Sequence, residues 1–386
     1  MKPTMKDVAR AAGVSVMTVS RAFRRDASIS ATTRDRIRAV ADELGYVLDS
    51  VASNLRSQRS GFVAVVIPSI NNANFADTVG ALTTEIEAAG MEVLLGRSNY
   101  DMAEEERLIG QLLRRQPEAL VVTGGRHTDR ARQMLAGAGI PVVETWDEPA
   151  RPIGHTVGFS NAAAAAMMVG HLAERGYRRI AFIGGDSSFD TRGADRRRGF
   201  VAAMEARGLD ASRLITVGPP PVSMREGATA MAMLLDTLPD TEAVMAVADP
   251  AAFGAMTECA RRGISVPGDM AIAGFGNFEI AAVAEPSLTT IDPFPARIGA
   301  ETGALIVRRL RDGAGDGLGD GVPTLIRVEP QLVVRASTGA DIFADGAITS
   351  PRLPRSAWAA RRRFRPRSCP RPAGSPPGRP PRRRRG

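Results

Sequence analysis

Short apolar runs alternate with longer stretches of helical spacing from Phe62 onward, and few architectures tolerate that pattern. The first series has strand candidates at 62–67, 91–95, 119–123 and 141–144, with helices near 76–89, 104–115 and 128–138 between them. A second series repeats the rhythm, with strands at 179–183, 213–217, 243–247 and 270–275 and helices near 162–175, 193–207, 224–236 and 250–262. Strand–helix–strand units close as right-handed parallel crossovers, so each series folds as a doubly wound sheet. The expected body is therefore α/β, with two doubly wound parallel-sheet lobes. A helix near 294–311 and strands near 324–335 complete it. The division by pattern is lobe 1 at about 61–160 plus 292–322, and lobe 2 at about 161–291 plus 323–339. Ligands bind such sheets at the C-terminal ends of the strands, and two facing lobes make a cleft there.

The first 46 residues read differently, as an all-α head. Thr4, Ser15 and Ser30 are N-cap candidates for helices over 5–12, 16–24 and 31–44, and Gly13 and Gly45 end the first and the third. Val8, Ala12, Val19, Phe23, Ile37, Val40 and Leu44 recur at helical spacing and supply a small core. The tight connection from Ala12 to Ser15 has the length and glycine of a helix-turn-helix corner. Residues 47–60 form a polar linker with one amphipathic turn around Val51, Ala52 and Leu55.

Charge separates these parts. Residues 1–60 carry +5 and residues 341–386 carry +11, which leaves −8 in the middle of a chain whose total is +8. A basic head on an acidic body suits a protein that shows only its head to DNA. After Gly339 the composition collapses into Arg, Pro, Ser and Gly, so 340–386 is expected to be a disordered tail. Two readings of it remain open: a nonspecific DNA-binding arm, or an incidental extension. No run approaches 18 apolar residues and no apolar leader follows Met1, so no membrane partner and a cytoplasmic location are expected. Cys259 and Cys369 are the only cysteines, which provides neither a disulfide framework nor a metal cluster.

Specific phrases now matter. The runs MKDVARAAGVS over 5–15, MTVSRAF over 17–23, SATTRDRI over 30–37 and ELGY over 43–46 resemble the head of the lac-repressor (galactose-repressor) family of transcription regulators. The resemblance continues from Phe62 to about Thr338, in a periplasmic-binding-protein-like body. The phrases IPSINN over 67–72, HTDR over 127–130, VGFSN over 157–161 and VPGDMAIAGF over 266–275 are most similar to the gluconate-operon repressor branch.

That resemblance implies a homodimer that grips double-stranded operator DNA and answers to a small-molecule effector. A recognition helix shows its first side chains to base edges in the major groove, here Val16, Met17, Ser20 and Arg21. Arg21 suits a bidentate contact to guanine, whereas Val16 and Met17 suit thymine methyls unless they pack into the head's own core. Thr4, Ser15, Thr18, Ser30 and Thr33 are candidates for phosphate contacts. Residues 50–58 match a hinge helix whose leucine, here Leu55, wedges into the minor groove; the alternative is a plain linker. Leu48 and Asp49 stand where the family has Pro-Asn, which puts the phosphate contacts at the hinge entrance in question.

The resemblance also implies an effector cleft. One lobe contributes Ser69, Asn71, Phe75, His127 and Trp146, and the other Arg192, Arg196 and Asn277. Neutral-ligand members carry an acid where Gly276 stands here. A cleft with two arginines and without that acid should favour an anion, and a sugar acid of the gluconate type fits. Bland alternatives are core packing for Trp146 and helix capping for His127, and Asp249 reads as a helix cap. An enzyme would need a cofactor or nucleophile motif on these lobes. There is no Gly-x-Gly-x-x-Gly after a strand, no phosphate loop and no Gly-x-Ser-x-Gly, so no enzyme and no cofactor are expected. A secreted binding protein would share the body but not the head.

Overall fold

The computed structural model describes residues 3–23, 29–46, 60–185, 190–312 and 323–339. The hinge expectation with Leu55 and the tail expectation lie outside the described residues. In the head, α1 (Met5–Ala11), α2 (Val16–Ala22) and α3 (Ala31–Glu43) pack around Val8, Ala9, Ala12, Val19, Ala22, Ile37 and Ala41. Phe23 and Val40 pack against that core only in part, and Leu44 is exposed instead of joining it. Leu44 falls just past the end of α3, where the helical stripe no longer points inward.

The body holds two parallel sheets. The first contains β1 (Phe62–Ile67), β2 (Glu92–Arg97), β3 (Ala119–Thr123), β4 (Val142–Thr145) and β5 (His155–Gly158). Between them run α4 (Ala73–Ala88), α5 (Met102–Leu113) and α6 (Asp129–Ala136). The chain then crosses through α7 (Asn161–Glu174) to the second sheet, made of β6 (Ile180–Gly184), β7 (Leu214–Thr216), β8 (Ala243–Ala246) and β9 (Ala271–Ala273). Its helices are α8 (Thr191–Glu205), α9 (Met224–Thr237), α10 (Asp249–Arg261) and the short α11 (Glu279–Val283). The chain returns through β10 (Thr290–Asp292) and α12 (Pro295–Asp312), then ends in β11 (Leu325–Arg327) and β12 (Gln331–Val333).

Strand order in the first sheet is β11-β5-β4-β3-β1-β2, and in the second β7-β6-β8-β9. Two details depart from the sequence reading. His155–Gly158 is a strand, although its four residues are too short to show a period. Leu325–Arg327 pairs in parallel with Thr156–Gly158, so it belongs to the first sheet and not to lobe 2. The return to the second lobe falls after it, at β12, which pairs antiparallel with β10.

The packing explains why the strands read as unbroken apolar runs. β1, β3, β4, β6 and β8 are covered on both faces and almost wholly buried. Helix α4 buries Phe75, Thr78, Leu82 and Ile86 at helical spacing. It lies close to α12, where a Cβ on Gly299 would stand 2.1 Å from the Thr78 carbonyl oxygen. Burying a side chain such as Leu82 or Ile86 contributes about 1.5–3 kcal/mol. Among the described residues no helix is long and apolar enough to cross a membrane.

Candidate DNA-reading face and effector cleft

Each head helix is started by its own hydroxyl. Thr4 and Asp7 close a capping box, with the Thr4 amide donating to Asp7 Oδ2 at 2.9 Å. Ser15 Oγ accepts from the Thr18 amide at 3.1 Å, and Ser30 Oγ accepts from the Thr33 amide at 3.3 Å. The five residues expected to touch phosphate therefore cluster at helix N-termini, where free amides favour an anion. On α2 the inward stripe is Val19 and Ala22. Val16 and Met17 are 41% and 59% exposed, and Arg21 is exposed on the same outer side. Core packing of Val16 and Met17 is thereby excluded. Ser20 is half-buried beside them.

The cleft is built where strand ends of the two lobes meet. Phe75 and Trp146 stack edge-on at 5.2 Å, and Phe159 and Phe275 continue the aromatic surface into the second lobe. Trp146 is held at φ 66° and donates through Nε1 to Thr78 Oγ1 at 3.2 Å. Against these rings lie two arginines from the first turns of α8. The Arg192 guanidinium sits 5.4 Å from the Phe75 ring centre, and that of Arg196 sits 4.2 Å from the Phe275 ring centre. Arg192 donates across the cleft to the Thr123 carbonyl at 3.3 Å, and Arg196 donates to Asn161 Oδ1 at 3.2 Å. Both side chains are buried, and among the described residues Arg196 Nε has no partner. Among the described residues no carboxylate oxygen lies within 4.0 Å of either guanidinium. Burial pushes the Arg196 guanidinium below its ordinary value, opposed by the charge of Asp190. A buried cation held over an aromatic face, with no direct ion pair among the described residues, suits an anion.

Further contacts tie the lobes. Arg126, on the loop after β3, meets Asp195 of α8 at 2.5 Å, and Asn74 Nδ2 donates to the Gly276 carbonyl at 3.0 Å. Gly276 has φ 122°, and a Cβ there would stand 2.3 Å from the Phe278 ring and 2.9 Å from Asn74 Nδ2. The acid that neutral-ligand members carry at this position has no room here.

Several expected site residues fall elsewhere. His127 does not face the cleft. Its ring is enclosed, with Nδ1 2.6 Å from Glu105 Oε1 and Nε2 3.6 Å from Glu144 Oε1. Burial alone would lower its pKa, but the two carboxylates together raise it to about 9. It is no helix cap either, since Thr128 caps α6. Asn277 is saturated by protein, donating to Asp292 Oδ2 at 2.9 Å and accepting from Arg335 at 2.8 Å. Asn71 is exposed, on the loop after β1 where the buried Ser69 accepts its amide. Asp249 is the first residue of α10, not its cap, and accepts from Thr290 Oγ1 and the Phe278 amide. Of the expected cleft residues the structure brings together Phe75, Trp146, Arg192 and Arg196, while Ser69 and Asn71 share the loop after β1. Asn161, the last residue of the VGFSN phrase, joins them through Arg196, and Tyr100 and Asp190 join without a sequence motif to mark them; Tyr100 at φ 61° is visible only in the fold. Grooves of about 490 and 470 Å³ between α4 and α12 lie by the N-terminal ends of the strands, away from this chemistry.

A helix-turn-helix head with an exposed reading face, followed by a two-lobed body around a polar cleft, defines a ligand-responsive DNA-binding regulator. The family comparisons agree. Residues 4–49 match the model for bacterial regulatory proteins of the lacI family, and residues 169–338 match a periplasmic binding protein-like domain. The chain is 37% identical over 320 residues to the HTH-type transcriptional regulator GntR of Pseudomonas aeruginosa, covering 82% of this chain and 93% of that protein. GntR of Escherichia coli K12 is 32% identical, covering 80% and 92% respectively. A LacI family regulator from Silicibacter pomeroyi superposes with a TM-score of 0.80 at 31% identity, over 88% of this chain and 100% of its own. This chain belongs to the lacI family of bacterial transcriptional regulators, which are not enzymes.

Proposed function

We propose that the protein is a cytoplasmic homodimeric repressor of sugar-acid catabolism genes, released from its operator by an acid of the gluconate type. The observation that carries the effector class is the pair Arg192 and Arg196, buried on aromatic faces with no carboxylate within 4.0 Å among the described residues. A forked guanidinium matches a carboxylate bidentately, and a neutral sugar offers nothing to neutralise it. Similarity to two GntR regulators supports the same class. A dimer follows from the head, because one recognition helix reads too few bases and a palindromic operator mirrors a two-fold protein.

An acid that touches both lobes binds the closed cleft better than the open one and shifts that equilibrium by its differential affinity. Closure alters how the paired lobes present the heads to DNA. A coupling of about 1–3 kcal/mol changes operator affinity roughly 5- to 150-fold. The test is fluorescence anisotropy on an operator selected from random DNA by the protein itself. Gluconate should weaken operator binding within that range while glucose leaves it unchanged. Tighter operator binding with gluconate would reverse the sign of regulation, and no response to any sugar acid would remove the effector class.

A further inference from the structure

Asp190 is the residue just before α8, and its carboxylate atom Oδ1 is buried without a hydrogen-bond partner among the described residues. It lies within electrostatic reach of Arg196, yet among the described residues no oxygen of it comes within 4.0 Å of either cleft arginine. Opposite charges in a buried cleft attract strongly. Here each arginine is drawn off by its own anchor instead, Arg192 by the Thr123 carbonyl and Arg196 by Asn161. The other nearby acids are already occupied. Asp195 carries Arg126 and Arg198, and the oxygens of Asp147 accept from the Gly125 and Glu148 amides. From the first lobe the half-buried Tyr100 lies within electrostatic reach of Arg192, Asp190 and Arg196. The result is a donor pair, an unpartnered acceptor and a hydroxyl within electrostatic reach of one another.

We infer that Asp190 makes the cleft selective for a 2-hydroxy acid, its carboxylate accepting the hydroxyl next to the effector's own carboxylate, and against the corresponding 2-keto acid. This rests on the sugar-acid reading above. A carboxylate is an acceptor only. An effector whose carboxylate lies on Arg192 and Arg196 presents its second carbon to the neighbouring Asp190. A hydroxyl there donates, whereas a carbonyl sets oxygen against the buried Oδ1 oxygen. An unmet or repelled buried polar group costs enough to change affinity roughly 10- to 100-fold. Tyr100 serves either ligand, since a phenol both donates and accepts, so it contributes affinity without this discrimination.

The experiment is calorimetry with gluconate, 2-ketogluconate and glucose on wild type, Asp190→Asn and Tyr100→Phe, with thermal unfolding to show that each variant folds. Wild type should prefer gluconate to 2-ketogluconate at least about tenfold. Asp190→Asn, whose amide donates, should weaken gluconate and strengthen 2-ketogluconate, shrinking or reversing the ratio. Tyr100→Phe should weaken both and leave the ratio unchanged. Equal binding of the two acids by wild type, or a ratio that Asp190→Asn does not move, overturns the assignment and leaves the sugar-acid reading standing. Should Asp190→Asn fail to fold, a ratio changed by Tyr100→Phe as much as by tenfold would likewise overturn it. Binding of glucose with neither acid bound overturns both.

Discussion

Raising the pH from 6.5 to 9.5 should destabilise the body through one side chain, His127. It is enclosed between Glu105 of α5 and Glu144 of β4, and Glu106 beside them is held by Thr128 and Arg130. The carboxylates hold the imidazole protonated, with its pKa raised from 6.5 to about 9. A raised folded-state value means that the native protein binds the proton more tightly than the unfolded chain. The stabilisation is therefore complete below pH 6.5 and is lost as pH rises through 9. At 1.36 kcal/mol per pKa unit the loss is about 3 kcal/mol. Several other perturbed groups act outside this window. Asp249, which burial raises to about 6, and His155, which burial lowers, act below pH 6.5. Tyr100 is raised by burial from 10.0 and Cys259 by burial to about 12, so both act higher. Urea unfolding at half-unit steps should show a decline beginning near pH 6.5, and His127→Gln should flatten it. A wild-type curve level between pH 7 and 9 would mean that the buried ring is neutral and the reasoning wrong.

Three further perturbations separate the parts of the account. Arg21→Ala should reduce discrimination between operator and random DNA by about 1–3 kcal/mol, measured as the ratio of the two affinities. An equal loss on both DNAs would make Arg21 a phosphate contact instead. Gly276→Asp should destabilise the fold by about 2 kcal/mol or more, since φ is 122° and the new Cβ would meet the Phe278 ring at 2.3 Å. Melting unchanged by that substitution would refute the steric argument for the missing acid. Deleting residues 341–386, which hold 13 arginines, should leave operator selectivity and effector response intact and at most lower the salt dependence of DNA binding. Loss of selectivity in the folded truncated protein would give the tail a specific role.

The architecture was legible because it rests on periodicity. Runs such as Val63–Ile67 and Ala243–Ala246 are apolar on both faces, as strands covered by helices must be, and capping hydroxyls mark where α2 and α3 begin. The exchange of strands near the C-terminus was not legible. Three residues at Leu325–Arg327 carry no period, and only pairing with β5 assigns them to the first sheet. In the cleft the arginines at positions 192 and 196 were legible through the family resemblance, since the run of arginines around them has no local pattern that singles them out. His127 and Asn277 read as ligand contacts through the family resemblance alone, which carries positions and not the partners that surround them. Their partners Glu105, Glu144, Asp292 and Arg335 come from distant segments, and no local pattern shows that they satisfy those side chains first. Tyr100 and Asp190 were hidden for the same reason in reverse, since nothing around them in sequence shows that the fold brings them to the arginines.

The central claim is that the guanidiniums of Arg192 and Arg196 select an acid. Calorimetry on wild type and Arg196→Met, each titrated with gluconate and with glucose, tests it most directly. Met replaces a buried cation whose Nε is unpartnered, so the unliganded variant should fold at least as stably as wild type. Truncating one side of a buried charge pair costs about 2–5 kcal/mol, so gluconate affinity should fall roughly 30-fold or more. Wild type should bind gluconate and give no heat with glucose. Equal binding of both ligands by wild type, or gluconate affinity unchanged in Arg196→Met, would contradict the account.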